Sequence, residues 1–351
     1  MRSLLILISI IWGGCLTAQI GGQSSFNFLL LPSDARIAAL GGEHISSIDE
    51  DPNLQLYNPA SLTDSANGQI SFNFRPYFAD INKVTASTAF NYGPKVGVLG
   101  VAIQHIGYGT LEQTDAAGNV IGEFRASETA LSVTKSHTLD DFTIGGTLKY
   151  ASSRIAGFNS SALLIDIGGT YKHPKQDLVI GLVAKNIGIS LGRFTPEQSV
   201  NLPFDLQAGI SYKFKHNPLR FTTTIHNLYR YDIQFLDTTR NITLGEDGEE
   251  IIPQESFSEQ IARHFVFGAE LIFSKKFQLR VGYNHIRRRE LRTVVRSGGA
   301  GFSFGAMLKI RSTQFNFTRS YFHPVGGTTT LTVTTNISKY ISKKRSGEYI
   351  E

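Results

Sequence analysis

The sequence holds a single cysteine, Cys15, and it lies within residues 1–18. The rest of the chain therefore has no disulfide, no thiolate nucleophile and no cysteine–zinc site open to it. Long apolar runs are also missing. Beyond residue 18 none approaches the roughly 18 residues that a helical membrane span needs. A mean hydropathy of -0.08 is far too polar for a helical bundle in a bilayer. The nine histidines form no H-E-x-x-H motif or paired ligand spacing, which leaves metal chemistry without support. The formal charge of +5 is mild, and no basic stretch interleaves with aromatics, so nothing suggests a nucleic-acid surface. No amphipathic helical pattern competes for the middle of the chain.

What is present is alternation. About fourteen short segments between Gly68 and Tyr340 switch between apolar and polar residue by residue. In the clearest, Phe142, Ile144, Leu148 and Tyr150 share one side, and Thr143, Gly145, Thr147 and Lys149 share the other. A strand with one face in lipid and one in a polar lumen needs this pattern. With 24 Phe and 13 Tyr there is aromatic material for interfacial girdles. The expected strands lie at 69–77, 83–92, 96–106, 124–135, 142–154, 162–173, 178–185, 203–214, 219–227, 262–273, 277–284, 300–310, 313–321 and 328–337. Their connections sort by parity. Those near 93–95, 138–141, 174–176, 216–218, 274–276 and 311–312 are short and read as periplasmic turns. Those at 107–123, 187–202, 228–261 and 286–299 are long and read as outer loops. Short inside and long outside is the habit of outer-membrane barrels.

Parity also places charge. Lys149, Asp166, Asp205, Lys213, Glu270, Arg280 and Lys309 fall on the polar side of their strands and are assigned to the lumen. A Lys or Arg facing mid-bilayer lipid would cost about 2–4 kcal/mol. The glycine pairs Gly145-Gly146 and Gly168-Gly169 read as kinks or as close approaches to a plug. Gly301-Phe302-Ser303-Phe304-Gly305 matches a nucleophile-elbow string but sits in an alternating strand, where the required strand-to-helix turn cannot form. No catalytic set, cofactor motif or metal motif emerges, and the chain reads as a non-enzyme.

The resulting expectation is an all-β protein, a transmembrane antiparallel β-barrel of about fourteen strands with an N-terminal hatch or plug. Residues 1–18 read as a secretory signal: Arg2, an apolar run from Leu4 to Trp12, and Leu16-Thr17-Ala18 before Gln19. Residues 19–67 carry too much apolar surface for a solvated tail and are expected to fill or underlie the lumen. Residues 68–340 form the barrel and 341–351 a tail. The expected location is the outer membrane.

Asn58-Pro59-Ala60-x-Leu62 looks like the hatch motif of FadL-like outer-membrane barrels. The longer run from Gly21-Gly22-x-Ser24-Ser25-Phe26 through Leu31-Pro32, Ala35-Arg36 and Ala38-Ala39-Leu40-Gly41-Gly42 resembles the PorQ-like barrels of the Bacteroidetes type IX secretion system, relatives of the PorV barrels. Ser61 departs from that pattern, where a more apolar residue is expected. The resemblance implies a cell-surface attachment complex that also holds a sortase (PorU), a PorV barrel and a PorZ-like surface protein, with this chain as its anchor. The alternative is a FadL-like channel for hydrophobic small molecules.

Two outer segments are candidate contact surfaces. Arg287, Arg288, Arg289, Arg292 and Arg296 could bind lipopolysaccharide phosphates or a surface partner. The acidic stretch 237–259 reads as a solvated partner loop rather than a calcium site, since EF-hand spacing is missing.

Overall fold

A computed structural model describes residues 24–93, 96–192, 201–233, 243–244, 250–251, 256–291, 298–323 and 326–338. Its strands are β1 (Gln69–Pro76), β2 (Asn82–Asn91), β3 (Val98–Thr114), β4 (Val120–Leu139), β5 (Phe142–Ile155), β6 (Phe158–Lys172), β7 (Leu178–Gly192), β8 (Asp205–Lys213) and β9 (Leu219–Ile225). They continue as a small hairpin, β10 (Thr243–Leu244) with β11 (Glu250–Ile251), and then β12 (Phe265–Ile272), β13 (Phe277–Asn284), β14 (Phe302–Ile310), β15 (Thr313–His323) and β16 (Gly326–Asn336). All except β10 and β11 pair with their sequence neighbours in a closed ring, and β1 pairs antiparallel with β16 to shut it. Fourteen strands in one ring leave no edge, so backbone groups at lipid depth are paired.

The period of two decides which side is wet. In β1, Ser71, Asn73 and Arg75 are buried, whereas Phe72 and Phe74 are 60% and 44% exposed. β5 repeats this, with Thr147 and Lys149 buried and Phe142, Ile144 and Leu148 exposed. The barrel is thus polar inside and apolar outside, the reverse of a water-soluble protein, and its outer face requires lipid. Aromatic contacts gather at both ends of that face. Phe142–Tyr171, Phe214–Phe221 and Phe273–Phe277 lie by the short turns. Tyr283–Phe302 and Phe304–Tyr321 lie by the long loops. These are the interfacial girdles that a bilayer-spanning barrel carries. Leu148→Arg, which puts a cation on the outer face of β5, is expected to cost about 2–4 kcal/mol, read as a lowered unfolding midpoint in lipid vesicles.

Several boundaries differ from the pattern-based expectation, each for a local reason. The anticipated loop 107–123 is mostly strand: β3 runs to Thr114 and β4 starts at Val120. β7 continues to Gly192 across a register shift where Asn186 adopts φ 60, so Lys185 and Asn186 both turn inward. The strand expected from 262 begins at Phe265, because the helix Phe257–Arg263 precedes it. Ser256 caps that helix by accepting from the Glu259 N–H, a Ser-x-x-Glu start signal hidden in an acidic stretch. A second short helix, His285–Glu290, is capped by Asn284.

Candidate functional site: the filled lumen

Most of residues 24–67 is buried against the inner faces of the ring, with Asn27, Glu50, Asp64, Ser65 and Asn67 exposed. Their local structure comes from short caps, not from long periodic elements. Asp34 accepts from the Ile37 N–H and starts the helix Ala35–Ala39. Asn58 accepts from the Ala60 N–H and starts a 3-10 turn with Pro59 in its first position. Gly41 and Gly42 both adopt φ 96, which an L side chain rarely tolerates. That accounts for the two glycines following Ala38-Ala39-Leu40.

Polar side chains from strands around the ring hold this segment. Thr332 accepts from the Ala35 N–H, Thr318 donates to the Ala35 carbonyl and Asn284 to the Gly41 carbonyl. On the neighbouring strands β1 and β2, Asn53 Nδ2 donates to Ser71 Oγ at 2.8 Å, and Asn53 Oδ1 accepts from Ser87 Oγ at 2.7 Å. Lys83 Nζ donates to the carbonyls of Phe28 and Leu31 at 3.0 and 2.6 Å. Asn58 Nδ2 reaches the carbonyls of Ile45 and Gly169, and Thr170 donates to the Ala60 carbonyl.

Of the Asn58, Pro59, Ala60, Leu62 set, all four are buried, and Leu62 packs with Ala66, Ala89 and Val98. The strand glycines explain the fit. A Cβ on Gly145 would lie 2.5 Å from the Pro59 carbonyl carbon, and one on Gly181 2.5 Å from the Ile45 oxygen. A Cβ on Gly146 or Gly169 would meet no part of this segment. Within each glycine pair, then, only the inward residue makes the approach.

One ion cluster ties segment to barrel. Glu270, fully buried, accepts from Arg36 Nε at 3.1 Å, Arg280 Nε at 2.9 Å and Arg220 Nη1 at 3.0 Å. Arg36 also pairs with Asp49. Three guanidiniums around one buried carboxylate and a second carboxylate beside it make a nearly balanced network in a medium where an unpaired charge is expensive.

The other charges expected in the lumen are all on inward positions, in different surroundings. Lys149 and Asp166 form a buried pair, and Asp166 also accepts from the Asn186 N–H. Asp205 accepts from Gln207, which also donates to Glu43. Lys213 faces Asp177 at the turn end, and Lys309 pairs with Glu50. Lys83, Arg75 and Arg220 lie inward as well and were legible by the same strand parity, whereas Arg36 and Glu43, in the segment itself, carry no such signal.

His44 is buried without exposure beside Ser47, its Nε2 2.6 Å from Ser47 Oγ. Burial, then the Arg36 charge, pushes its pKa from 6.5 down to about 3. The folded state therefore refuses a proton that the unfolded chain accepts. Stability from this group is present above pH 6.5 and is lost as pH falls from 6.5 toward 3, with a span of a few kcal/mol, order of magnitude. His44→Gln is expected to flatten the wild-type loss of thermal stability between pH 7 and pH 4, measured by heat-modified gel mobility.

The arginine-rich outer segment is not a free cluster. Arg287 donates to the Gly41 carbonyl and closes over the buried segment. Arg288 donates to the Gly298 carbonyl, and Arg289 pairs with Glu259. Arg292 and Arg296 fall outside the described residues, as do most of the acidic positions in 237–259. Glu259 itself joins His285 and Arg289 across the two short helices, so this one carboxylate is tied within the chain. Ser303 is the second residue of β14 and its neighbours on both sides are extended, with no helix following. Among the described residues no group of three His, Cys, Asp or Glu is placed to hold a metal ion.

No family model matches this chain, and neither does any curated protein. Solved structures do. The toluene transporter TbuX of Ralstonia pickettii aligns with a TM-score of 0.50 at 12% identity, over 88% of this chain and 98% of that one. A TodX mutant, titled a monoaromatic hydrocarbon channel, aligns with a TM-score of 0.52 at 11% identity, over 89% of this chain and 100% of that one. The fold is that of the FadL-family outer-membrane barrels. A Pseudomonas aeruginosa FadL homologue also matches, with a TM-score of 0.46 at 10% identity, over 87% of this chain and 98% of that one. At these identities the FadL likeness is one of architecture.

Proposed function

We propose that this chain is a non-catalytic outer-membrane barrel that works as a closed anchor. Its strands fix it in lipid, residues 24–67 occupy its lumen, and its long loops hold a protein at the cell surface. The observation that carries this reading is the set of hydrogen bonds and ion pairs joining the buried segment to inward side chains around the ring, with the Arg36–Glu270–Arg280–Arg220 cluster at its centre. The resemblance of residues 21–62 to PorQ-like barrels narrows the setting to the type IX attachment complex, with a PorZ-like partner and PorU and PorV as companions.

A second reading, a channel for hydrophobic small molecules, draws on the architectural neighbours, two of them titled a transporter and a channel. It also draws on the apolar cluster of Phe26, Phe28 and Leu29 against Ile106, Ala130, Ala151, Ala162 and Leu164. Such a wall would suit an apolar ligand if the phenylalanines withdrew. Purification from native outer membranes separates the two. A stoichiometric surface protein without bound hydrocarbon supports the anchor. Bound fatty acid or hydrocarbon, with no protein partner, supports the channel and overturns the anchor.

A further inference from the structure

The β3–β4 hairpin outgrows the ring. The last β2–β3 pair is Asn82 with Gly107, and the first β4–β5 pair is Ala126 with Ile155. Beyond those points β3 and β4 pair only with each other, from Thr110–Arg125 to Thr114–Val120. Among the described residues no other strand pairs with either outer edge of this ribbon. Every residue from Thr110 to Ile121 is exposed, a run matched nowhere else among the described residues. The ribbon carries Leu111, Val120 and Ile121 at 39%, 59% and 61% exposure.

An isolated two-stranded ribbon is marginal in water, and an open strand edge invites pairing. This one is nonetheless braced at both ends. At its root Gly109 adopts φ 74 in a register shift, and Tyr108 donates to Glu128 at 2.6 Å. At its tip Asp115 accepts from the N–H groups of Ala117 and Asn119, both at 2.9 Å. Such bracing lowers the ordering cost of binding.

Its charges identify a partner. Glu112 stands directly across from Glu123. Like charges at a cross-strand pair are unfavourable within the hairpin; Arg125, two positions along β4 from Glu123, offsets this in part, and a cation brought from outside offsets it further. We propose that residues 110–125 form a docking ribbon for a separate surface protein, which adds an extended strand to one open edge and places Lys or Arg against Glu112 and Glu123. Main-chain bonds supply the affinity, while Leu111, Val120 and Ile121 and the carboxylate pair supply the selectivity. The inference rests on the anchor reading and names the part of the rim that performs it.

The test uses the full-length protein in native outer membranes. Two variants are made, E112K/E123K and one with 110–124 replaced by a tight turn; heat-modified gel mobility verifies the folded barrel in each. Recovered surface protein is quantified, and a photo-crosslinking side chain at Gln113 identifies the contacted peptide. The proposal expects at least a tenfold loss of partner with both variants, recovery that falls with added salt in the wild type, and a crosslinked peptide that is extended and basic. Equal recovery with wild type and the shortened ribbon overturns it and leaves the anchor reading standing. Crosslinks only to a second copy of this chain, or to lipid, also overturn it. If the wild type recovers no surface protein at all, the anchor reading fails with it.

Discussion

Glu270→Gln is expected to destabilise the folded barrel by about 3–5 kcal/mol, the range for breaking a buried ionic network from one side. The substitution keeps the side-chain volume and removes only the charge. Arg36, Arg220 and Arg280 would then face a neutral amide whose own N–H groups point at guanidinium donors. Asp49 still compensates Arg36 and Asp177 lies 3.9 Å from Arg220, so Arg280 is the cation left with no ion-pair partner among the described residues. Arg36→Leu removes one of three cations and the link to the lumenal segment, leaving Glu270 with two partners, so its cost should be smaller. The pair should be non-additive, since both changes act on one network. Urea titration in lipid vesicles, followed by the shift between folded and unfolded gel mobility, reads all three. A Glu270→Gln midpoint equal to wild type would mean that these charges are reached by water and do not hold the segment in place.

Gly145→Val should dislodge the lumenal segment, whereas Gly146→Val, its immediate neighbour, should be nearly silent. A Cβ on Gly145 would lie 2.5 Å from the Pro59 carbonyl carbon, and that backbone is clamped by Asn58 and Thr170. A Cβ on Gly146 would meet nothing closer than 3.8 Å, the Asp166 oxygen. Overpacking of this kind costs roughly 1–3 kcal/mol, and the easiest relief is retreat of the turn Pro59–Ser61 from the wall. Two measurements follow: protease cleavage within 24–67, and ion conductance in planar bilayers. Both should rise for Gly145→Val and stay at the wild-type level for Gly146→Val. Identical behaviour of the two variants would contradict the packing of Pro59 on β5.

Strand parity reached far in this chain because its physical cause is local. A residue's side in a strand follows from its neighbours alone, so Lys149, Asp166, Asp205, Glu270 and Arg280 could be turned inward without knowing what they touch. The same parity, applied more widely, would have found Lys83, Arg75 and Arg220. Loop length by parity anticipated the two ends of the barrel, yet misread 107–123. Whether an alternating run beyond the ring pairs as ribbon or frays as loop depends on its turn, and here Asp115 and Gly118 make that turn. The helix Phe257–Arg263 was missed because its cap, Ser256 with Glu259, lies in an acidic stretch that reads as solvated. Of the five arginines, Arg287, Arg288 and Arg289 each also bond within the fold, which a count of charges could not reveal.

The sequence by itself determined that this protein closes a ring of strands with its apolar side outward, because the period of two and the cost of charge in lipid act residue by residue. It also marked Asn58-Pro59-Ala60 as unusual. Only the tertiary structure decided which glycine of each pair faces that turn, that Arg36 meets Glu270 across 234 positions of chain, and that one hairpin stands clear of the rim. Those outcomes depend on which distant surfaces the closed ring brings together, and no spacing along the chain encodes that distance.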